Sequence, residues 1–449
     1  MVNEASKEHG GHEVTVTVAP ALPVQGGRLA LSNLDLLLPP LDVSLFFCYL
    51  HPAPAAAALK EALAKTLVAY YPLAGEVVAN ADGEPELLCN GRGVDFTVAT
   101  AAAGAELREV RLGTVDEGVE KLVPAKKAGG VVAVKVTKFG CGGAVVGCTF
   151  DHRVCDAYSF NMFLVAWAAA ARGSSASAPP APSFRRSLVA PRDPPPPRAP
   201  CTDALIDRLF CPRSAAPPPP AVAAASSVNR IYRVSAADIA ALKASAGPGR
   251  TKLEAFTAHL WRLCSRAASP RQSQCCMGVV VDGRARMSPD GAMRGYFGNV
   301  LTIPYGVTGS EDLRRMALAD VAGDVHRWVA EAATGEHFRG LVDWVEALRP
   351  KPAAARAYLG GTGGNEAMAC VVSSGMSFPV GKADFGTGLP AFASYHFPWP
   401  AGAGYVMPMP SARGDGDWVV YAHVAPELAK VMEEEPTVFR ALENSYVFQ

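Results

Sequence analysis

The sequence predicts an α/β protein organised as two domains, and three observations carry that expectation. Runs rich in β-branched residues alternate with runs of helical period in both halves of the chain. The length, 449 residues, exceeds what a single hydrophobic core usually serves. Finally, 14 of the 37 prolines lie between Pro179 and Pro220. A residue with a fixed φ and no backbone donor is excluded from sheet interiors and regular helix, so that stretch reads as a long, semi-stiff crossover. The expected division is residues 1–178, a crossover over 179–225, and residues 226–449.

In the first half, Leu59, Ala62, Leu63, Thr66 and Leu67 share one helical face, which predicts a helix over 55–69. Tyr70-Tyr71-Pro72 ends it, because proline disfavours helical geometry in the residue before it. Short strands are expected at 75–78 and 85–88, about the Asp82-Gly83 turn. The β-rich runs 131–136 and 144–150 follow, then a helix over 156–170 through Phe160, Phe163, Leu164 and Trp167. A short helix over 202–210, built on Leu205, Ile206 and Leu209, punctuates the crossover. In the second half the periods predict a helix over 252–264, a strand over 277–281, one long helix over 313–333 and a strand over 418–423.

Composition excludes several classes of function. Forty-two basic residues balance 42 acidic ones, and no basic run exceeds two residues, so nucleic acid is not an expected partner. No stretch reaches the roughly 18 apolar residues of a membrane span, and the N-terminus lacks the pattern of a secretory signal. The eleven cysteines are scattered without a C-x-x-C pair, as free thiols in a reducing compartment would be, and no metal site is implied. A cytoplasmic monomer with no permanently bound cofactor is expected. The sequence contains no G-x-S-x-G elbow, no H-E-x-x-H, and no G-x-G-x-x-G opening a helix. Gly360, Gly361, Gly363 and Gly364 read as a flexible loop.

The chemistry points to His152-Arg153-Val154-Cys155-Asp156, between a buried strand and a helix. Loops at strand ends aim side chains into clefts while the strand holds their position. A neutral imidazole takes a proton from a hydroxyl or amine near neutral pH. The carboxylate four residues on either orients the ring or turns away and holds the loop. Cys155 is a nucleophile by residue type, with a small apolar core residue as the competing reading. Taken alone the spacing is weak, since chance supplies about 0.4 such matches among nine histidines.

Further motifs fall in order along the chain. Tyr71-Pro72-Leu73-Ala74-Gly75 precedes His152 and Asp156. Val281-Asp282-Gly283-Arg284-Ala285-Arg286 leads into Gly295-Tyr296-Phe297-Gly298-Asn299, and Asp384-Phe385-Gly386-Thr387-Gly388 comes last. In that order they resemble the plant BAHD family, the H-x-x-x-D acyltransferases that use acyl-CoA. The resemblance implies two chloramphenicol-acetyltransferase-like domains, each a mixed sheet flanked by helices, with a tunnel between them. It implies that His152 deprotonates an acceptor, which attacks the thioester directly. Asp156 is implied to pair with Arg284 near Asn299 as support for the loop, and Asp384 and Gly386 to be structural. Acyl-CoA then enters as co-substrate. The partner is a small-molecule alcohol, less readily an amine, of plant specialised metabolism.

Ser373, eleven residues before the D-F-G segment, stands where relatives often carry Thr or Ser; it is the candidate oxyanion donor. Two positions depart from the family pattern. Thr387 replaces the tryptophan of D-F-G-W-G, and Gly375 stands where hydroxycinnamoyl-transferring relatives commonly have tryptophan. Loss of that indole is expected to enlarge the acceptor pocket or remove a donor. The segment Leu31-Ser32-Asn33-Leu34-Asp35-Leu36-Leu37-Leu38-Pro39-Pro40-Leu41-Asp42 resembles the branch that acylates coniferyl-type alcohols, which favours an aromatic primary alcohol as acceptor. The alternative is a relative without acyl transfer: an interaction or regulatory protein, or a lyase acting on a shikimate-derived metabolite.

Overall fold

The strand that carries His152 explains the first half. Ala144–Asp151 is buried along its whole length, as the unbroken apolar run AVVGCTF requires of a central strand. In the computed structural model, which describes residues 13–173, 179–196, 200–213, 227–359, 367–398, 403–435 and 437–448, it lies between Val132–Lys138 and Asp42–Tyr49. The full sheet runs Glu13–Val18, Val94–Thr100, Val132–Lys138, Ala144–Asp151, Asp42–Tyr49 and Phe392–His396. One pair, Val94–Thr100 with Val132–Lys138, is parallel and the rest antiparallel. Helices Ala56–Ala69 and Ala157–Ala171 accompany it, tied by a 3.0 Å hydrogen bond from the Trp167 indole to the Leu59 carbonyl.

The last strand of this sheet comes from far along the chain. Phe392–His396 lies beyond the prolines, yet it pairs antiparallel with Asp42–Tyr49, Phe392 opposite Cys48. Tyr49 donates to the Ala383 carbonyl at 2.6 Å, fastening the approach to that strand.

The second sheet is also mixed. Gln274–Asp282, Ala367–Ser373 and Gly404–Pro410 run parallel, and Trp418–Val424 and Val228–Val234 add antiparallel partners. Period-two alternation divides its side chains between two cores. Val371, Tyr405 and Met407 face the core shared with the first half, whereas Cys370, Val372 and Val406 face a second core. Helix Lys252–Ala267, opened by a reciprocal Thr251–Glu254 capping box, covers that second face with Leu318–Ala332.

The expected long helix over 313–333 is two helices, Ser310–Arg315 and Leu318–Ala332. Met316 and Ala317 between them are extended, at ψ 140° and 151°. Neither glycine nor proline marks the break, so the apolar period runs through it unbroken. What fixes it is tertiary: Arg314 Nε donates to the Ser265 carbonyl at 2.7 Å, holding the first piece against the neighbouring helix end. The crossover carries the expected helix as Pro200–Leu209, continued by Phe210–Pro212 paired with Ala353–Ala355. Its earlier part is bound closely: Arg186 donates to the Phe297 carbonyl at 2.8 Å, and Arg192 pairs with Asp343 at 2.6 Å. Pro217 to Pro220 and the glycines from Gly360 to Gly364 lie outside the described residues. Among the described residues, no helix is long and apolar enough to cross a membrane, and no group of His, Cys, Asp and Glu is arranged to hold a metal ion.

Gly147, in the His152-bearing strand, lies against the chain of the first half: a Cβ there would sit 2.4 Å from the Leu122 carbonyl oxygen. Gly147→Ala is expected to cost about 1–3 kcal/mol, measured as a lowered urea midpoint with unchanged m-value.

Candidate active site

His152 follows directly on the buried strand, and its backbone N–H is held by the Leu41 carbonyl at 2.8 Å. Its ring sits between Phe150 and Phe397, with centroids 6.3 and 6.2 Å away. Together with Ser373, Tyr395, Phe397, Tyr405 and Asp282 it lines a cavity of about 150 Å³, comparable to an interior void able to hold a benzene ring. Burial pushes the imidazole pKa below its ordinary value. Its own backbone, the Asp156 charge, Asn299 and the Asp151 charge push the other way, and burial outweighs them. The ring is therefore neutral at neutral pH and able to accept a proton. Nδ1 is buried and lacks a well-aligned partner, as does Oδ1 of Asn299.

Asp156 does not orient the ring. Residues 152–155 form a turn rather than helix, and Asp156 caps Ala157–Ala171 by accepting from the Ser159 N–H at 2.9 Å. Its two oxygens accept from Arg284 Nη1 at 2.8 Å and Nη2 at 3.1 Å, a buried bidentate pair. Arg284 is otherwise saturated. Nη2 also donates to Ser159 Oγ and the Gly298 carbonyl, both at 2.9 Å, and Nε to the Tyr296 carbonyl at 3.3 Å. Tyr158 lies under the guanidinium, 4.4 Å from ring centre to Cζ. Asp282 shares the same arginine through Nη1.

Asn299 closes the ring of contacts. Its Nδ2 donates to the His152 carbonyl at 2.9 Å and to Oδ1 of Asp35 at 2.9 Å. Asp35, fully buried, also accepts from the Asn299 N–H at 2.6 Å and from Ser32 through its N–H and hydroxyl. Asp35 was not expected at the site. The S-x-x-D spacing of Ser32 to Asp35 is the capping signature that marks it in the sequence, although the role it fills is tertiary. Ser159 and Tyr405 likewise had no sequence signal.

Ser373 ends a strand of the second sheet and reaches the cavity. Gly375 does not enlarge it. A Cβ at Gly375 would meet Met409 Cγ at 2.6 Å, Met407 Cγ at 2.9 Å and the Pro408 carbonyl at 2.9 Å. Two methionine side chains fill the place assigned to an indole, and Gly375 is absent from the cavity wall. The Asp384 carboxylate accepts the N–H groups of Gly386 and Gly388 at 2.8 and 2.9 Å, making a turn outside the cavity. Gly386 has φ +101°, a value glycine tolerates. Phe385 packs edge-on against Trp167 at 4.8 Å, while Thr387 is exposed. Cys155 is buried and its thiol pushed well up by burial, so it is no thiolate at neutral pH.

A model of the Transferase family matches residues 13–438. The chain belongs to the Transferase family. Among similar proteins, a putrescine hydroxycinnamoyltransferase from Oryza sativa subsp. japonica is 32% identical, over 92% of this chain and 95% of its own. The crystal structure of vinorine synthase superposes with TM-score 0.71 at 21% identity, covering 96% of this chain and 99% of that one. TRI101 of F. graminearum, complexed with coenzyme A and T-2 mycotoxin, superposes with TM-score 0.70 at 15% identity, covering 92% and 99%. The family fold of two chloramphenicol-acetyltransferase-like sheets is thus the fold of this transferase.

Removing one partner of a buried pair leaves the other uncompensated, so Asp156→Asn is expected to cost about 3–5 kcal/mol. Thermal unfolding of the purified variant measures it; an unchanged midpoint would contradict the supporting role. Gly375→Trp is expected to lower the midpoint too, because the indole collides with Met407 and Met409 instead of filling a void.

Proposed function

We propose that the protein transfers an acyl group from an acyl-CoA thioester to a hydroxyl of a small aromatic alcohol, by direct attack with His152 as general base. The observation that carries this reading is a half-buried, neutral imidazole facing an aromatic-walled cavity between the two sheets, its loop fixed from the second half by Arg284 and Asn299. The family and the named activities of the relatives support acyl transfer itself. Phe150, Tyr158, Tyr395 and Phe397 line the cavity and suit an aromatic acceptor.

The acceptor hydroxyl gives its proton to the free ring nitrogen of His152 as its oxygen bonds to the thioester carbonyl carbon. The carbonyl π electrons move to oxygen, where the Ser373 hydroxyl donates to the resulting oxyanion. Collapse restores the carbonyl and breaks the C–S bond, and the imidazolium returns its proton to the departing sulfur. Asp156 and Arg284 keep the loop in place without touching substrate. Coenzyme A enters as co-substrate.

An amine acceptor is the second reading, and one observation favours it. Asp156 and Asp282 share a single arginine, and the half-exposed Asp282 side chain faces the same cavity. The excess negative charge suits an ammonium, as the putrescine-acylating rice relative would require of its own acceptor.

The test is release of free CoA from a panel of acetyl-, malonyl-, benzoyl- and hydroxycinnamoyl-CoA with aromatic alcohols and amines. Acceptor-dependent release is expected, lowered about 10²–10⁴-fold in His152→Ala. No release and no CoA binding with any donor would sink the proposal. The pH dependence has a defined sign. The base acts deprotonated and its pKa is depressed, so the rate with an alcohol rises through a midpoint below the ordinary imidazole value and is flat across neutral pH.

A further inference from the structure

Asp156 turns away from His152 towards Arg284, and a second carboxylate stands on the other flank of the turn. Asp151, the residue before His152, ends the central strand with its side chain 2% exposed. Its Oδ1 accepts the Arg153 N–H at 3.0 Å, an Asx-turn, and its carbonyl accepts the Val154 N–H at 3.1 Å. His152 and Arg153 are thus the central residues of a turn that Asp151 closes through both backbone and side chain. The carboxylate is itself immobilised. Arg153 Nε and Nη2 bind its two oxygens at 2.9 and 2.6 Å, and Lys126, its side chain 7% exposed, lies 3.6 Å from Oδ2. Asp42 stands directly opposite Asp151 in the sheet, and Lys126 relieves that like-charge pair by reaching Asp42 at 3.3 Å. None of these four charged side chains lines the cavity that His152 faces.

On the proposed acyl transfer, we infer that Asp151 is a positioning residue for the base: it fixes the peptide unit that follows His152, and with it the direction in which the imidazole leaves the backbone. The His152 carbonyl and the Arg153 N–H belong to one rigid plane. Asn299 Nδ2 holds that plane at its carbonyl end, at 2.9 Å, from the second half of the chain. Asp151 holds it at its N–H end from the first half. The plane before His152 is held as well, its N–H by the Leu41 carbonyl at 2.8 Å. With both flanking planes fixed, the Cα–Cβ bond of His152 has one direction, into the cavity. Loss of the Asp151 acceptor frees the N–H end, and ψ of His152 then relaxes together with φ of Arg153. The ring drifts from the narrow range of distances and angles that proton transfer requires. Asp151 touches neither substrate nor the travelling proton, which still passes from acceptor to His152 and on to the sulfur.

The experiment compares Asp151→Ala with Asp151→Asn in the CoA-release assay. Both remove the charge that Arg153 and Lys126 face, so both are expected to lower the thermal midpoint by similar amounts. Only asparagine keeps an oxygen that accepts the Arg153 N–H. Asp151→Ala is expected to lower kcat about 100-fold, as a small misplacement of a catalytic group does. Asp151→Asn is expected to lower it about tenfold, since a neutral acceptor makes a bond about half as strong. KM for acyl-CoA is expected to stay unchanged in both, measured well below each midpoint. A readout without turnover is the ring C–H resonance of isotope-labelled histidine, assigned by its absence from His152→Ala. It is expected to be narrow in wild type, broadened in Asp151→Ala and narrowed again in Asp151→Asn. Equal kcat in the two variants, a raised KM alone, or an Asp151→Ala resonance as narrow as that of wild type overturns the inference and leaves acyl transfer intact. An unchanged kcat in Asp151→Asn overturns it too, so the test stands even where the alanine variant does not fold. Wild-type protein that neither binds nor cleaves any acyl-CoA overturns the acyl-transfer reading, and the ring resonance then decides on Asp151 by itself.

Discussion

Asp156 and Arg284 are buried together, and the cost of removing both charges from water is met only because every remaining hydrogen-bonding position around them is filled. That requirement organises the centre of the molecule. Asp156 must cap one helix while facing a guanidinium from the other half. Gly298 must present its carbonyl to Arg284, and Asn299, the next residue, is thereby placed against the His152 loop. His152 is positioned by a network that grips its backbone carbonyl. Such a network has one satisfied arrangement, since a small displacement leaves charge or carbonyl unpaired in a low-dielectric interior.

A parallel pin holds the other side of the loop. Asp35 is buried with Ser32 and Asn299 as its partners and Arg186, from the crossover, 3.8 Å away. Residues from the N-terminal segment, the crossover and the second half therefore meet beside the same turn. The crossover behaves as a structural brace of the site as well as a connection, because Arg186 and Arg192 spend their charges on groups beyond it.

Most of the fold was legible in the sequence. Helices with a single apolar face and the uninterrupted strand before His152 announce themselves through period and burial. The division of 313–333 into two helices was hidden, because the break is imposed by a contact from Arg314 and no local residue signals it. At the site, His152, Asp156, Arg284 and Asn299 were found through their order along the chain. Asp35 was not, since its role arises from who stands across from it in space. Gly375 shows the opposite failure. A missing side chain was read as empty space, but the methionines two strand positions apart had already filled it. Sequence reports which side chain is absent; packing decides what replaces it.

The strand Phe392–His396 has a consequence for how the protein is made. Until those residues leave the ribosome, the edge of Asp42–Tyr49, with Leu45, Phe46 and Phe47 along it, has no neighbour on that side. An open edge of that composition invites pairing with other chains. The first sheet is therefore completed only when a strand from late in the chain has been made. Once the strand has docked, the two halves are stitched through backbone hydrogen bonds, and a hinge that parts them would have to unzip a sheet.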